Sequence, residues 1–485
     1  MKTRAVLALF ALTHFLAVSE ALGQCTTTVP GGTISGQTWT AVGSPFCVEG
    51  DVVVNSLQIQ SDVVVYFTGD FSLTVEGRIT AIGTGASPIV FTKSPENEIG
   101  WRGIQFMDSL PGSELAHVIV EGSINGGIQI YNSTPIIRDS VIRNNFCRSR
   151  QDPPECNRLS EGAGIYTNTD LTLTRCAITD NLATNFGGIG NTVRAFGAGI
   201  FADAGADLEL IDSFVTGNEA LTSAGGSFGN ALVGGGGIYA AGGQLTLART
   251  VVDSNATSQT CNFGCPGGLN VSRGGGIYLG GLTMPVSGPQ PCPSAPDILC
   301  RATLVNSVVT RNSAITPGAE GGGVRIEPGW DVEIIHTTIA NNAPDGLKND
   351  GGLATAVNSI FWENSGSEIV GEATVTYSDV MGGLFPGEGN MSLNPVFSVP
   401  TPTDPQYDVH IDPTVSPAID MGTADFPELP DHDIDGDERP SGRNFDMGAD
   451  EVPVPEPSVM VLRFSALLSL GLLCRFTLRR PAPLG

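Results

Sequence analysis

Tyr166, Phe201, Tyr239 and Tyr278 each follow a Gly-Ile pair, and Arg325 and Lys348 hold the same place after Gly-Val and Gly-Leu. In an extended strand alternate side chains point to opposite faces. If the aliphatic residue of each pair faces a core, the next residue faces out. Four aromatic side chains running into two cations then line one external column. Aromatic faces suit the apolar faces of pyranose rings, so this column is a candidate polysaccharide platform. The competing reading is a stacked ladder that only packs.

A second constellation is Asp431-His432-Asp433-Ile434-Asp435-Gly436-Asp437. Alternating carboxylates before a glycine match the opening half of a calcium loop. The twelfth position, where such a loop needs a bidentate glutamate, is Gly442. Asp431, Asp433, Asp435 and Asp437 are therefore candidates for a smaller calcium site, against a plain polar turn.

Eight cysteines fall into near pairs: Cys25/Cys47, Cys147/Cys156, Cys261/Cys265 and Cys292/Cys300. Disulfides closing short loops in an oxidising compartment are the expectation. Metal binding by Cys261 and Cys265 is the weaker alternative, because no histidine or second pair lies nearby. Cys176 stands in a column of Ser and Thr and is expected to be a buried small residue.

These residues are positioned by a repeat. The unit Gly234–Asn255 contains three short apolar-alternating strands with glycine-rich corners, and it closes on an asparagine. Copies close on Asn145, Asn181, Asn218, Asn255, Asn312, Asn342 and Asn364. Three residues before each stand Ile142, Ile178, Val215, Val252, Val309, Ile339 and Phe361; five before stand Ser, Cys or Thr. Offsets that do not drift across copies imply stacked coils, a solenoid. Strands of three to five residues with no helical period make it all-β, and each strand returns parallel to its predecessor at about 4.8 Å. The asparagines should form an amide ladder at one corner. Glycine before the first strand permits a turn that a β-carbon would obstruct. The uneven spacing of the closing asparagines assigns the excess length to loops such as 182–196 and 256–273, leaving from one corner and covering one flank.

The Gly-Gly-Gly-Ile-Tyr and Val-x-x-Asn pattern resembles the repeats of right-handed parallel β-helix proteins, including polymorphic outer-membrane proteins of bacteria. The likeness spans about residues 100–380 and implies a right-handed parallel β-helix, in keeping with the crossover rule. Such helices include pectate lyases and polygalacturonases. Of the motifs of the polygalacturonase-like family only Asn168-Thr169-Asp170 occurs, without Asp-Asp, Gly-His-Gly or Arg-Ile-Lys. His117 and His336 are the histidines of the repeat region, and both read as structural. No residue is assigned a catalytic role, and the expectation leans towards a non-enzyme.

The flanks complete the plan. Residues 1–23 read as a secretory signal, with Lys2 and Arg4, an apolar run, and Ala21-Leu22-Gly23 at the cut. Residues 24–50 are the expected N-terminal cap and 51–385 the solenoid. Residues 386–452 resemble a choice-of-anchor Q domain through Asn394-Pro-Val-Phe397, Tyr407-Asp408-Val409, Ser416-Pro-Ala-Ile-Asp-Met-Gly422, Asp433-Ile-Asp-Gly-Asp-Glu-Arg-Pro440 and Asp446-Met-Gly-Ala-Asp-Glu451. They are expected to cap the far end. Residues 453–485 carry Val-Pro-Glu-Pro, an apolar run over 459–478 broken by Arg463, and Arg479-Arg480. They resemble a PEP-CTERM sorting signal, which implies an exosortase-like processing enzyme and the surface or matrix of a Gram-negative bacterium. A plain C-terminal membrane-anchoring helix is the alternative.

With 50 acidic against 24 basic residues the formal charge is −26, which argues against nucleic-acid binding. Three readings of function follow. One is a non-enzymatic surface or matrix protein that presents loops and the aromatic column to polysaccharide. The second is a β-helix lyase or glycosidase. The third is a passive spacer, favoured if the loops bury the aromatics.

Overall fold

A computed structural model of the chain describes residues 25–149, 160–187, 192–225, 230–262, 270–281, 300–316, 318–398, 409–427 and 429–453. The expected signal, the linker from residue 454 onwards and the apolar helix lie outside these residues. Among the described residues there is no α-helix, and so none to span a membrane.

The chain winds into a parallel β-helix. A 13-stranded sheet collects the third strand of every coil, and a 22-stranded sheet holds the first- and second-strand ladders, joined through the long strands Val52–Ile59 and Leu73–Ile82. All strand pairings are parallel. The inward positions Ile165, Ile200, Ile238, Ile277 and Val324 are fully buried, as are Leu173, Leu210, Leu247 and Leu304. These two columns and that of the third strand meet in one continuous core.

The closing asparagines are the ladder that the repeat implies. Asn218 Nδ2 donates to Asn255 Oδ1 at 2.9 Å, and Asn255 Nδ2 to Asn312 Oδ1 at 2.9 Å. The chain of amides runs from Asn145 to Asn364 across sequence separations from 22 to 57 residues. Each amide oxygen also accepts a backbone N–H, as Asn255 Oδ1 does from Asn218 N at 3.0 Å. The glycine column belongs to the same device. A β-carbon at Gly237 would lie 2.7 Å from Gly276 O and 2.9 Å from Asn255 Nδ2. The Ser/Thr column works alike: Cys176 N donates to Ser213 Oγ at 3.1 Å and Thr250 N to Ser307 Oγ at 3.2 Å. Cys176 is buried and free, and burial pushes its thiol up to about 12.

Two left-handed residues bracket each third strand. Arg175, Asp212, Arg249 and His336 have φ of 45 to 51° at one corner, and Asp180, Ser254 and Arg311 have 53 to 54° at the other. Such angles are uncommon for residues with a β-carbon. Several of these residues form ion pairs between coils: Arg175 Nε meets Asp139 Oδ1 at 2.6 Å and Arg249 Nε meets Asp212 Oδ1 at 2.6 Å.

Residues 24–50, read as a cap, supply coil structure. Thr27–Val29 pairs in parallel with Phe46–Val48, and Gly32–Ile34 and Gln37–Trp39 pair with Val52–Ile59. Cys25 and Cys47 form a disulfide across this first coil. Cys147 and Cys300 are each held in a disulfide whose partner lies outside the described residues. Cys156, Cys265 and Cys292 lie outside the described residues, and so does the side chain of Cys261.

The C-terminal unit, expected over the end of the solenoid, lies along its side. Val409, Ile434 and Ala449 pack on Val308, and Ile411, Ala418 and Met447 pack on Ala340, Ile360 and Trp362. The cause is the outward face of the 13-stranded sheet, which is apolar in these coils and must be covered. Asn358 stitches the two together, donating to Thr423 O at 2.9 Å and accepting from Thr423 N at 2.8 Å. Phe385, from the turn that follows the last third strand, packs against the end of the core.

Candidate functional site

The register of the first strands brings the expected column together. Gln129 pairs with Tyr166, Tyr166 with Phe201, Phe201 with Tyr239, Tyr239 with Tyr278, Tyr278 with Arg325 and Arg325 with Lys348. Ring centroids lie 5.7 Å apart for Tyr166–Phe201, 5.1 Å for Phe201–Tyr239 and 4.8 Å for Tyr239–Tyr278. Tyr131, not included in the expected column, extends it at 5.0 Å from Tyr166.

The column is not on the outside of the protein. The loops that leave after each closing asparagine are themselves strands and stack from coil to coil. Phe146–Ser149, Leu182–Gly187, Glu219–Gly225, Ala256–Asn262 and Ser313–Ile315 form a five-stranded parallel sheet. Their returning halves, Val193–Phe196, Ala231–Gly234 and Asn270–Arg273, form a three-stranded one. Between these sheets and the coil is a small core of Ala163, Ala183, Ala195, Ala198, Ala220 and Val233, side chains short enough for backbones to approach closely. Phe196, Leu232 and Val271 of the returning strands pack on the aromatic column. Tyr239 is 0% exposed, Phe201 1%, Tyr278 2% and Tyr166 7%.

Buried hydroxyls in the column have partners. Tyr166 Oη donates to Asp203 Oδ2 at 2.8 Å, and Tyr239 Oη donates to Gly281 O at 2.8 Å. Burial pushes the phenols of Tyr239 and Tyr278 up. Arg325, 1% exposed, closes the column in a network with Glu327 at 3.0 Å, Glu320 at 2.5 Å, and Asp350. Burial lowers the Arg325 pKa, and the carboxylates around it outweigh that and hold it up. Lys348 Nζ reaches Asp350 at 3.3 Å.

One carboxyl at the base of the loop sheets is perturbed. Glu161 is 8% exposed, and burial, then the nearby Asp203 charge, raise it to about 8, with Arg194 opposing. Such a group holds its proton at neutral pH, the state of a general acid. The same shift arises in any carboxyl buried away from water.

The four aspartates of the calcium candidate diverge. Asp433 is fully buried, and its Oδ1 accepts N–H groups from Asp435 at 2.9 Å and Asp437 at 2.7 Å. Its Oδ2 accepts from Glu451 N at 2.9 Å. It therefore organises a turn with both oxygens. Asp431 is largely exposed and pairs with His432 at 2.8 Å. Asp435 points to His410 Nε2, 2.9 Å away, and with Asp450 these form a group whose ligand atoms all lie within 4.8 Å of one another. His410 and Asp450 were not marked by sequence spacing, because one precedes the Asp-x-Asp run and the other follows it by a whole loop.

His336 sits at a left-handed corner and is fully buried. Its Nε2 accepts from Asn358 Nδ2 at 3.1 Å, and its Nδ1, which then carries the ring proton, donates to Asp446 O at 3.2 Å with Arg439 alongside. Burial and then Arg439 push its pKa well down, so the ring is neutral. Arg439 in turn donates to Gly448 O at 2.9 Å and lies 3.4 Å from Glu451. The histidine fastens the C-terminal unit to the solenoid.

No family model matches the chain, and no curated protein or solved structure is detectably similar to it.

Proposed function

We propose that this chain is an exported, non-enzymatic protein of the cell surface or extracellular matrix, in which the β-helix acts as a rigid spacer. One observation carries the spacer role: the aromatic column is spent on packing. Its rings lie against each other and against Phe196, Leu232 and Val271, and no broad ring face is left for a sugar. The cations that continue the column are engaged by Glu320, Glu327 and Asp350. Export and surface delivery rest on the signal-like start and on the PEP-CTERM-like and choice-of-anchor-like residues. The Cys25–Cys47 disulfide agrees with an oxidising compartment.

A second reading, a carbohydrate-active enzyme, draws on the protonated Glu161 beside Asp203. Both readings are tested by one assay. The chain from Gln24 onwards, kept in mild detergent, is presented with neutral and acidic polysaccharides. The spacer reading expects neither retention nor new reducing or unsaturated ends. Cleavage that is lost in Glu161→Gln would replace it with the enzyme.

A further inference from the structure

We propose that His410, Asp435 and Asp450 form a binding site for a divalent cation of the zinc class, which ties together three separate segments of the C-terminal unit. The donor set is one imidazole nitrogen and two carboxylates, with every ligand atom within 4.8 Å of the others. Ligands of a tetrahedral zinc ion at about 2.1 Å stand roughly 3.4 Å from one another. The His410 Nε2 to Asp435 Oδ2 contact of 2.9 Å therefore has to open only slightly to admit an ion. An imidazole favours zinc-like ions, whereas calcium takes six or more oxygens, about twice what these side chains supply.

The surroundings hold the donors in place. Asp450 is 8% exposed, and its Oδ2 accepts the N–H of Ile411, the residue after His410, at 2.9 Å. Ile411 is itself bridged to Phe397, and Asp435 is fixed by the turn that Asp433 organises. The ligands therefore come from three stretches that the fold already aligns.

Charge balance points the same way. Asp433, Asp446, Asp450 and Glu451 are all buried in this unit, and the buried cation beside them among the described residues is Arg439, which pairs with Glu451. Asp433, Asp446 and Glu451 spend their oxygens on backbone N–H groups. Asp450 and Asp435 face each other with one histidine between them. A divalent ion would place positive charge between the two carboxylates, and it displaces any proton on the imidazole.

The test uses the tag-free chain from Gln24 onwards, stripped with EDTA, dialysed, and titrated calorimetrically with zinc, manganese or calcium chloride. The expected result is one equivalent of zinc, bound more tightly than calcium. His410→Gln and Asp435→Asn should each weaken binding about tenfold or more. Asp431→Asn should leave it unchanged. His410 and Asp435 are partly exposed, so both variants should fold, and unchanged β-sheet circular dichroism checks this. Absence of zinc binding, binding unaltered in both folded variants, or tighter calcium binding that depends on Asp431 would each overturn the assignment.

Discussion

The Tyr278 hydroxyl donates to Glu327 Oε1 at 3.0 Å, and the two side chains are 2% and 1% exposed. An aromatic column in the first strands thus ends on a buried carboxylate shared with Arg325 and Arg273. The column joins the β-helix to the second layer of stacked loops, and the predictions below follow from that arrangement and from the ladders beside it.

The amide ladder should be intolerant of gaps. Asn255→Ala removes the acceptor for Asn218 N and Asn218 Nδ2, and the donor to Asn312, all in fully buried positions. A buried group left unpaired costs about 1–3 kcal/mol. With several orphaned at once, urea unfolding should show a loss of about 3 kcal/mol or more. Asn364→Ala, at the ladder's end, should cost less.

Stability should fall as pH rises from acid towards alkaline. Burial raises Glu161 to about 8 and Glu368, Asp379, Asp450 and Glu451 to about 7. A carboxyl raised in the folded state favours folding below its unfolded pKa, near 4. That benefit is lost as pH climbs through the folded value. The melting temperature at pH 5.5 should therefore exceed that at pH 8.5, and Glu161→Gln should flatten the slope and raise the value at pH 8.5. A melting temperature that rises across this range in the parent protein would contradict these shifts.

Losing the clasp should release the C-terminal unit and leave the solenoid folded. Asn358→Ala removes the paired bonds to Thr423 and the bond to His336. Limited proteolysis should then cut within 409–453 faster than in the parent. The uncovered Val308, Ile360 and Trp362 should bind a hydrophobic dye.

The disulfide at the start of the helix should matter because nothing described precedes its first coil. It closes a separation of 22 residues, for which loop closure suggests about 3 kcal/mol. Cys25→Ser with Cys47→Ser should fray Thr27–Trp39 first, which amide hydrogen exchange would reveal.

The solenoid was legible because its signal is periodic: the columns ending on Asn181, Asn218 and Asn255 keep their offsets, and the structure turns them into ladders. The stacking of the loops was hidden by unequal insertion lengths. Phe146, Leu182, Glu219, Ala256 and Ser313 each follow a closing asparagine directly, yet they share no residue type that marks a column. Strand alternation put Tyr239 on the outer side of its coil correctly, but one strand cannot tell outside the coil from outside the protein. The Asp-x-Asp-x-Asp-Gly run looked like ligand spacing, and its central Asp433 is consumed by backbone N–H groups. The lateral seat of the C-terminal unit did leave a trace: Ala340 and Trp362 are apolar where Arg143, Thr179 and Thr216 hold the same outward column in earlier coils.

The most direct test of the packing role compares Tyr239→Ser with the parent in urea unfolding and in retention on the polysaccharide panel. Deleting a buried aromatic ring should cost about 3–5 kcal/mol, and Tyr239→Phe, which loses only the bond to Gly281, about 1 kcal/mol. Neither variant should differ from the parent in retention. A folded Tyr239→Ser protein of undiminished stability that has lost the parent's hold on a glycan would contradict the account.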